Sequence, residues 1–259
     1  MSLALAVGAC ATAQTSASLV DRFPPPPGAK RDACAPHGFG AYLRSIPLLP
    51  AGSPVLLHNG GRKWRQDAHA AVLDVSVGTK DLQQCADAVM RLRAEHLFAA
   101  GRQDEIAFNL TNGFRVPWAR WRKGSRVCVT GNRCEWIDGA MTDSSHAALL
   151  SYLEFVFTYA GSLSLSLELK PASTAPIEAG DVIIQGGSPG HAVIVLETAR
   201  DAQGQVYCLL AQSYMPAQQI HVLRNPQEPR LGSWYKVHST GELRTPEWTF
   251  AWTDRKRWP

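Results

Sequence analysis

The sequence predicts an α+β fold. Three observations carry this: one long helix pattern beginning near Asp81, four closely spaced strand patterns after Gly180, and their order, helix first and sheet second. Val182-Ile-Ile, Ala192-Val-Ile-Val-Leu-Glu197, Val206-Tyr-Cys-Leu-Leu-Ala211 and Ile220-His-Val-Leu223 are short runs rich in strand formers, and Asp201-Ala-Gln-Gly204 is the turn between the second and third. That spacing predicts an antiparallel sheet. The helix runs from Asp81 to Ala100, with Asp81 as N-cap and Gln84 completing a capping box. Its apolar residues (Leu82, Cys85, Ala86, Val89, Met90, Leu92, Leu97, Phe98) fall on both faces, which places it centrally in the core.

The remaining elements are shorter. Pro54-Val-Leu-Leu-His58 and Ala71-Val-Leu-Asp-Val-Ser-Val77 read as strands, and Asn59-Gly60-Gly61 as a hairpin signal. Ser144 or Ser145 caps a second helix from His146 to about Tyr159, ended by Ala160-Gly161. Residues 101–140 mix Asn, Gly, Trp and Arg and read as an insertion of loops and short strands within a single domain over residues 31–259. The tail from Trp234 to Trp258 is aromatic and can pack on the sheet or line a groove.

Composition narrows the function classes. Of 259 residues, 45% are hydrophobic and 19% charged, which excludes a disordered or fibrous chain. A net charge of +4 with Lys and Arg scattered gives no basic stripe for nucleic acid. Residues 1–13 read as a signal or lipoprotein segment: Leu-Ala-Val-Gly-Ala-Cys10 offers Cys10 for lipidation, and Ala11-Thr-Ala13 offers an ordinary cleavage site. Residues 14–30, with Phe23-Pro-Pro-Pro-Pro-Gly28, read as a Pro-rich tether. The expectation is an exported periplasmic or outer-membrane protein whose only membrane contact is a lipid anchor. Of the 6 cysteines, Cys128 and Cys134 could close a hairpin disulfide and Cys34 could pair with Cys208, which leaves Cys85 as the odd thiol.

Cys85 and His191 are the candidate catalytic residues. A cysteine in a helix's first turn meets free N–H groups and the positive end of the helix dipole, which favour thiolate. A lone helix cysteine is also commonly a small apolar core residue. His191 heads an otherwise apolar strand, a rigid place for an imidazole base. A base needs an orienting group, and Gln212, at the end of the next strand, offers a neutral acceptor, with Ser213 as second choice. The Cys85 backbone N–H, with Gln84 or Gln83, would stabilise an oxyanion. Trp118, Trp121 and Arg115 are candidates for a substrate groove. Gly186-Gly-Ser188-Pro-Gly190 spells the serine-hydrolase elbow, but a strand follows it where that motif needs a helix. No spacing supports a metal site or a phosphate loop, so no cofactor is expected.

Gly180-Asp-Val, Gly190-His191-Ala-Val-Ile-Val and the following strand ending in a polar residue resemble the core of the NlpC/P60 and CHAP cysteine peptidases and amidases, which are papain-like. The resemblance implies the order cysteine, histidine, third residue met here as Cys85, His191 and Gln212. It further implies a thiol-dependent hydrolase or transferase acting on amide bonds, with cell-wall peptide as substrate class. Gln84 and Ala86 differ from the usual neighbours of that cysteine, and the long separation from Cys85 to His191 makes residues 101–140 an insertion. The alternative is a non-catalytic glycan- or peptide-binding envelope lipoprotein of the same fold. Over residues 20–240, Gln-Gln-Cys-Ala-Asp-Ala, Tyr159-Ala-Gly-Ser-Leu-Ser and Gln212-Ser-Tyr-Met-Pro-Ala-Gln resemble an uncharacterised bacterial domain of unknown function (DUF4846), which carries no activity to transfer.

Overall fold

The computed structural model describes residues 18–259, and the strand His191–Asp201 is the axis on which the other elements are arranged. In chain order the helices are α1 (Leu19–Arg22), α2 (Phe39–Ser45), α3 (Cys85–Ala99), α4 (Trp118–Trp121), α5 (His146–Tyr159) and α6 (Ser162–Glu168). The strands are β1 (Ala29–Arg31), β2 (His69–Val72), β3 (Ala107–Asn109), β4 (Arg115–Pro117), β5 (Ser125–Thr130), β6 (Arg133–Asp138), β7 (Lys170–Pro171), β8 (Val182–Gln185), β9 (His191–Asp201), β10 (Val206–Gln212), β11 (His221–Leu223), β12 (Trp234–Lys236), β13 (Glu242–Arg244), β14 (Thr249–Ala251) and β15 (Arg255–Arg257). The main sheet has 9 strands in the order β2-β11-β10-β9-β8-β15-β7, with β1 beside β9 and β12 beside β10. All of its recorded pairings are antiparallel. The fold is therefore α+β, as the order of the sequence patterns predicts.

The apolar runs of β8, β9 and β10 are continuous because both faces of the sheet are covered. On one face Val182, Ile184, Ile194, Leu196, Leu209 and Ala211 join the larger core with α3 and α5. On the other, Ile183, Val193, Val195, Cys208 and Leu210 meet Tyr235, Leu243, Phe250 and Trp252 of the C-terminal segment. Helix α3 packs across β9 and buries Ala88, Val89, Leu92 and Leu97, with Val89, Leu92 and Leu97 each contributing about 1.5–3 kcal/mol. Asp181 is fully buried and receives Arg255 at 2.7 Å and Arg257 at 2.6 Å, which ties β15 to the start of β8. That role accounts for the Gly-Asp pair ahead of β8.

Several expectations are corrected. Helix α3 begins at Cys85 with Gln84 as N-cap, because Asp87 Oδ2 accepts the Gln84 N–H at 3.0 Å while Asp81 is committed to the Ala217 N–H at 2.6 Å. Residues 14–30 are not a tether from Leu19 onward: Leu19 and Phe23 are buried and β1 pairs with β9. Residues 54–58 make only isolated bridges, and the strand expected over 71–77 is His69–Val72. Cys128 and Cys134 are free, since Cys128 lies opposite Glu135 and Cys134 opposite Val129. Cys34 and Cys208 are also free, with Cys208 in the second core and Cys34 beside Gly40. Cys10 and the segment 1–13 lie outside the described residues. No single helix among the described residues is long and apolar enough to cross a membrane.

Candidate active site

Cys85 and His191 line one cavity of about 300 Å³, between the N-terminus of α3 and the end of the sheet where β8 turns into β9. Its walls include Asp81, Gln84, Asp87, Phe157, Ser162, the loop Gly187–Gly190, Tyr214, Met215 and Trp248. Each candidate arrives there because an element ends there. Cys85 is the first residue of α3, His191 the first of β9 and Gln212 the last of β10. The loop before His191 is held close to α6, where Ser162 Oγ donates to the Gly187 carbonyl at 3.1 Å. A Cβ on Gly190 would come within 2.3 Å of Ser162 Oγ, so only glycine fits this approach.

His191 is 1% exposed, and its Nε2 lies 2.8 Å from Gln212 Oε1. Gln212 Nε2 donates to Glu247 Oε2 at 2.7 Å, and Glu247 Oε1 receives Lys63 Nζ at 2.5 Å. The imidazole also sits among the rings of Tyr214 (4.8 Å), Trp248 (5.3 Å) and Phe250 (5.8 Å). This apolar cage pushes its pKa down to about 4; Lys63 adds to the effect and the Gln212 hydrogen bond opposes it. His191 is therefore neutral at pH 7, the form that can accept a proton.

Cys85 is partly buried and free. Burial first, then the nearby Asp87 carboxyl, pushes its thiol up to about 11, against the backbone N–H groups of Ala192, Ala86 and Cys85 itself. The helix-terminus argument thus has the right donors but the wrong net direction, because desolvation of a thiolate outweighs a few N–H dipoles. Asp87 in turn is pushed up to about 8 by burial, with the Gln84 N–H pulling the other way. The resting pair is a neutral thiol and a neutral imidazole. Among the described residues, no hydrogen bond joins Cys85 Sγ to the His191 ring. Such bonds are commonly loose before substrate arrives.

The other candidates divide. Gln84 lines the cavity, with its Nε2 3.3 Å from Asp81 Oδ1. Gln83 does not: its Oε1 receives Arg91 at 3.0 Å in a separate, smaller pocket, so its side chain cannot serve an oxyanion at Cys85. Its carbonyl meets Ser213 Oγ at 2.9 Å, which links the start of α3 to the end of β10. Trp118 and Trp121 are core residues packed on Tyr152, and exposed Arg115 reaches Glu168 at 3.3 Å. The expected groove there is corrected, because α5 covers the indoles. Glu247, Lys63 and Asp87 carry no role in the sequence reading, whereas Trp248 belongs to the aromatic tail expected to pack on the sheet or line a groove, and it lines the cavity. Only Asp87, three residues after the true N-cap, had a local signal. Among the described residues no group of three His, Cys, Asp or Glu side chains is placed to hold a metal ion.

The profile of the family described as Domain of unknown function (4846) matches residues 19–257, and the chain belongs to that family, DUF4846. No curated protein and no solved structure gives a significant match.

Proposed function

We propose that this family member is an exported thiol-dependent hydrolase or transferase acting on amide bonds, with cell-wall peptide as its substrate class and a papain-like arrangement of its site. The observation that carries the reading is the placement of Cys85 and His191 on one cavity, with Gln212 Oε1 bonded to His191 Nε2. In the proposed reaction, Cys85 Sγ attacks the amide carbonyl carbon while the ring nitrogen not engaged by Gln212 takes the thiol proton. The N–H groups at the start of α3 stabilise the oxyanion, assisted by Gln84. His191 then returns its proton to the leaving amine. Water, or an acceptor amine, releases the acyl group from sulfur. Because thiol and imidazole are both neutral at rest, proton transfer accompanies attack instead of preceding it.

The test is the rate of Cys85 alkylation by iodoacetamide against pH, with the modified residue identified by peptide mass, in wild type and His191→Ala. Labelling of folded wild type near neutral pH that drops at least about tenfold in the variant supports a coupled pair, since each tenfold corresponds to about 1.4 kcal/mol. No labelling of the folded protein, with or without His191, removes the thiol reading. The raised Cys85 pKa specifically favours a second reading, a glycan- or peptide-binding envelope protein that keeps the cleft without turnover. That reading requires Cys85→Ala to bind peptidoglycan fragments as wild type does while neither protein cleaves them.

A further inference from the structure

The amide of Gln212 is held at both ends by groups almost cut off from water. His191 and Gln212 are each 1% exposed, and the side chains of Glu247 and Lys63 are 8% and 3% exposed. A carboxylate only accepts hydrogen bonds, so Gln212 must turn its NH₂ toward Glu247, 2.7 Å away. The amide is planar, so its carbonyl oxygen then faces His191 at 2.8 Å. A carbonyl oxygen also only accepts, so His191 Nε2 must carry the hydrogen. A neutral imidazole has one N–H, and the lone pair is left on Nδ1. The direction of every bond in the chain is thus dictated by the ion pair at its far end, where Lys63 faces Glu247 at 2.5 Å.

A second chain on the same wall has the same grammar. Asp254 Oδ2 accepts from Gln185 Nε2 at 2.8 Å, and Gln185 Oε1 accepts from Trp248 Nε1 at 3.0 Å. An indole N–H can only donate, so this chain is directed from both ends and agrees with itself. Two rings of the cleft, His191 and Trp248, are therefore each addressed by carboxylate through glutamine. A buried ion pair such as Lys63–Glu247 is weak support for stability, because desolvating both charges offsets their attraction.

We propose that Glu247 is a positioning residue which, through Gln212, holds His191 in its Nε2–H tautomer and so makes Nδ1 the atom that takes the proton of Cys85, with Lys63 balancing the Glu247 charge. The inference rests on the reading of His191 as the base for Cys85. It separates orientation from charge: the group touching the imidazole is a neutral amide, and the carboxylate that orients it stands one residue further back, already paired.

The experiment is long-range ¹H–¹⁵N correlation on ¹⁵N-histidine-labelled protein at pH 7, with the His191 signals assigned by their loss in His191→Ala. Wild type is expected to show the Nε2–H pattern. Glu247→Gln can present either an NH₂ or a carbonyl to Gln212, so a mixture of both tautomers is expected, with the Cys85 labelling rate falling in proportion to the Nε2–H fraction lost, about twofold for an even mixture. The exchange variant Gln212→Glu with Glu247→Gln puts an obligate acceptor back against Nε2 and is expected to restore the single Nε2–H tautomer, which a merely structural role would not do. Asp254→Asn is expected to leave that tautomer in place. An Nδ1–H pattern in wild type, or an unchanged tautomer in Glu247→Gln, overturns the proposal. Wild-type Cys85 labelling is read separately, so an inert thiol with a responsive tautomer defeats the enzyme reading and leaves the hydrogen-bond direction standing.

Discussion

The cleft and the 101–140 insertion are built from similar side chains, aromatic rings with arginines, lysines and amides around them, and they use them in opposite ways. In the insertion, Trp118 is fully buried 5.4 Å from the Tyr152 ring, and the cations lie on ring faces, Arg120 at 4.6 Å over Trp136 and Arg126 at 4.5 Å over Trp121. Apolar burial holds that region together, and its charges stay near water. In the cleft the arrangement is reversed. His191, Gln212, Glu247 and Lys63 are taken out of water and bonded end to end, while Trp248 lines an open cavity. The difference teaches that a tryptophan beside an arginine carries no meaning until it is known what covers it. A buried chain of polar groups is the better sign of a site, because stability alone does not call for one.

The largest test of that contrast is Cys85→Ala. It should abolish amide cleavage, by about a thousandfold or more if Cys85 is the nucleophile, measured as product release from peptidoglycan fragments. Fold stability should be nearly unaffected, since a small, partly buried side chain is lost. Trp118→Ala should do the reverse. A chemical denaturation curve should show a loss of about 3–5 kcal/mol, the usual effect of deleting a large core aromatic, while Cys85 labelling of the folded fraction is unchanged. If Trp118→Ala spares stability and slows labelling, the insertion belongs to the site after all.

The pH dependence of stability sharpens the comparison. Burial holds His191 and His96 at about 4 and His221 at about 3, below the ordinary 6.5. As pH falls from 6.5 toward 4 the unfolded chain takes up protons that the native one refuses, so each histidine lowers stability by about 1.4 kcal/mol per pH unit in that window. Asp87, raised by burial to about 8 from an ordinary 3.8, works the other way: the native state keeps a proton that the unfolded chain has released, and stability falls as pH rises through that interval. The three histidines outweigh the one carboxyl below 6.5, and Asp87 dominates once they have lost their protons above it. Denaturation midpoints should therefore peak near pH 6.5, and Asp87→Asn should flatten the decline from there to about 8. The smallest expected effect is that of Arg115→Ala. Arg115 is exposed but the Glu168 side chain it meets is only 8% exposed, so the loss should stay within about 1 kcal/mol, with no change in Cys85 labelling. A clear loss of labelling would restore the groove once expected there.

Much of the site was legible because its three reactive side chains stand at the ends of regular elements. His191 and Gln212 belong to apolar runs that can only be neighbouring antiparallel strands, and a strand end is where a polar residue can meet its partner across the register. Cys85 belongs to a helix whose N-cap lies three residues later than the expected one, because Asp81 is an equally good N-cap by type but is claimed by Ala217. Gln83 and Gln84 were indistinguishable by chemistry, and the turn into α3 sends one toward Arg91 and the other into the cavity. Trp118 and Trp248 were likewise equivalent until α5 covered the first.

The sequence alone determined the central helix, the strands from β8 to β11 and the chain order of the reactive residues. Those follow from side-chain periodicity and turn chemistry over about ten residues, the range in which backbone hydrogen bonds repeat. Tertiary structure decided which groups complete the site and which way its protons lean. Glu247 reaches Gln212 across 35 residues and Lys63 reaches Glu247 across 184, so no local pattern announces either contact. The protonation of Cys85 was decided there as well. A helix N-terminus draws a thiol toward thiolate through local dipoles, but the cost of removing the charge from water depends on everything packed around the cavity, and in this molecule that cost wins.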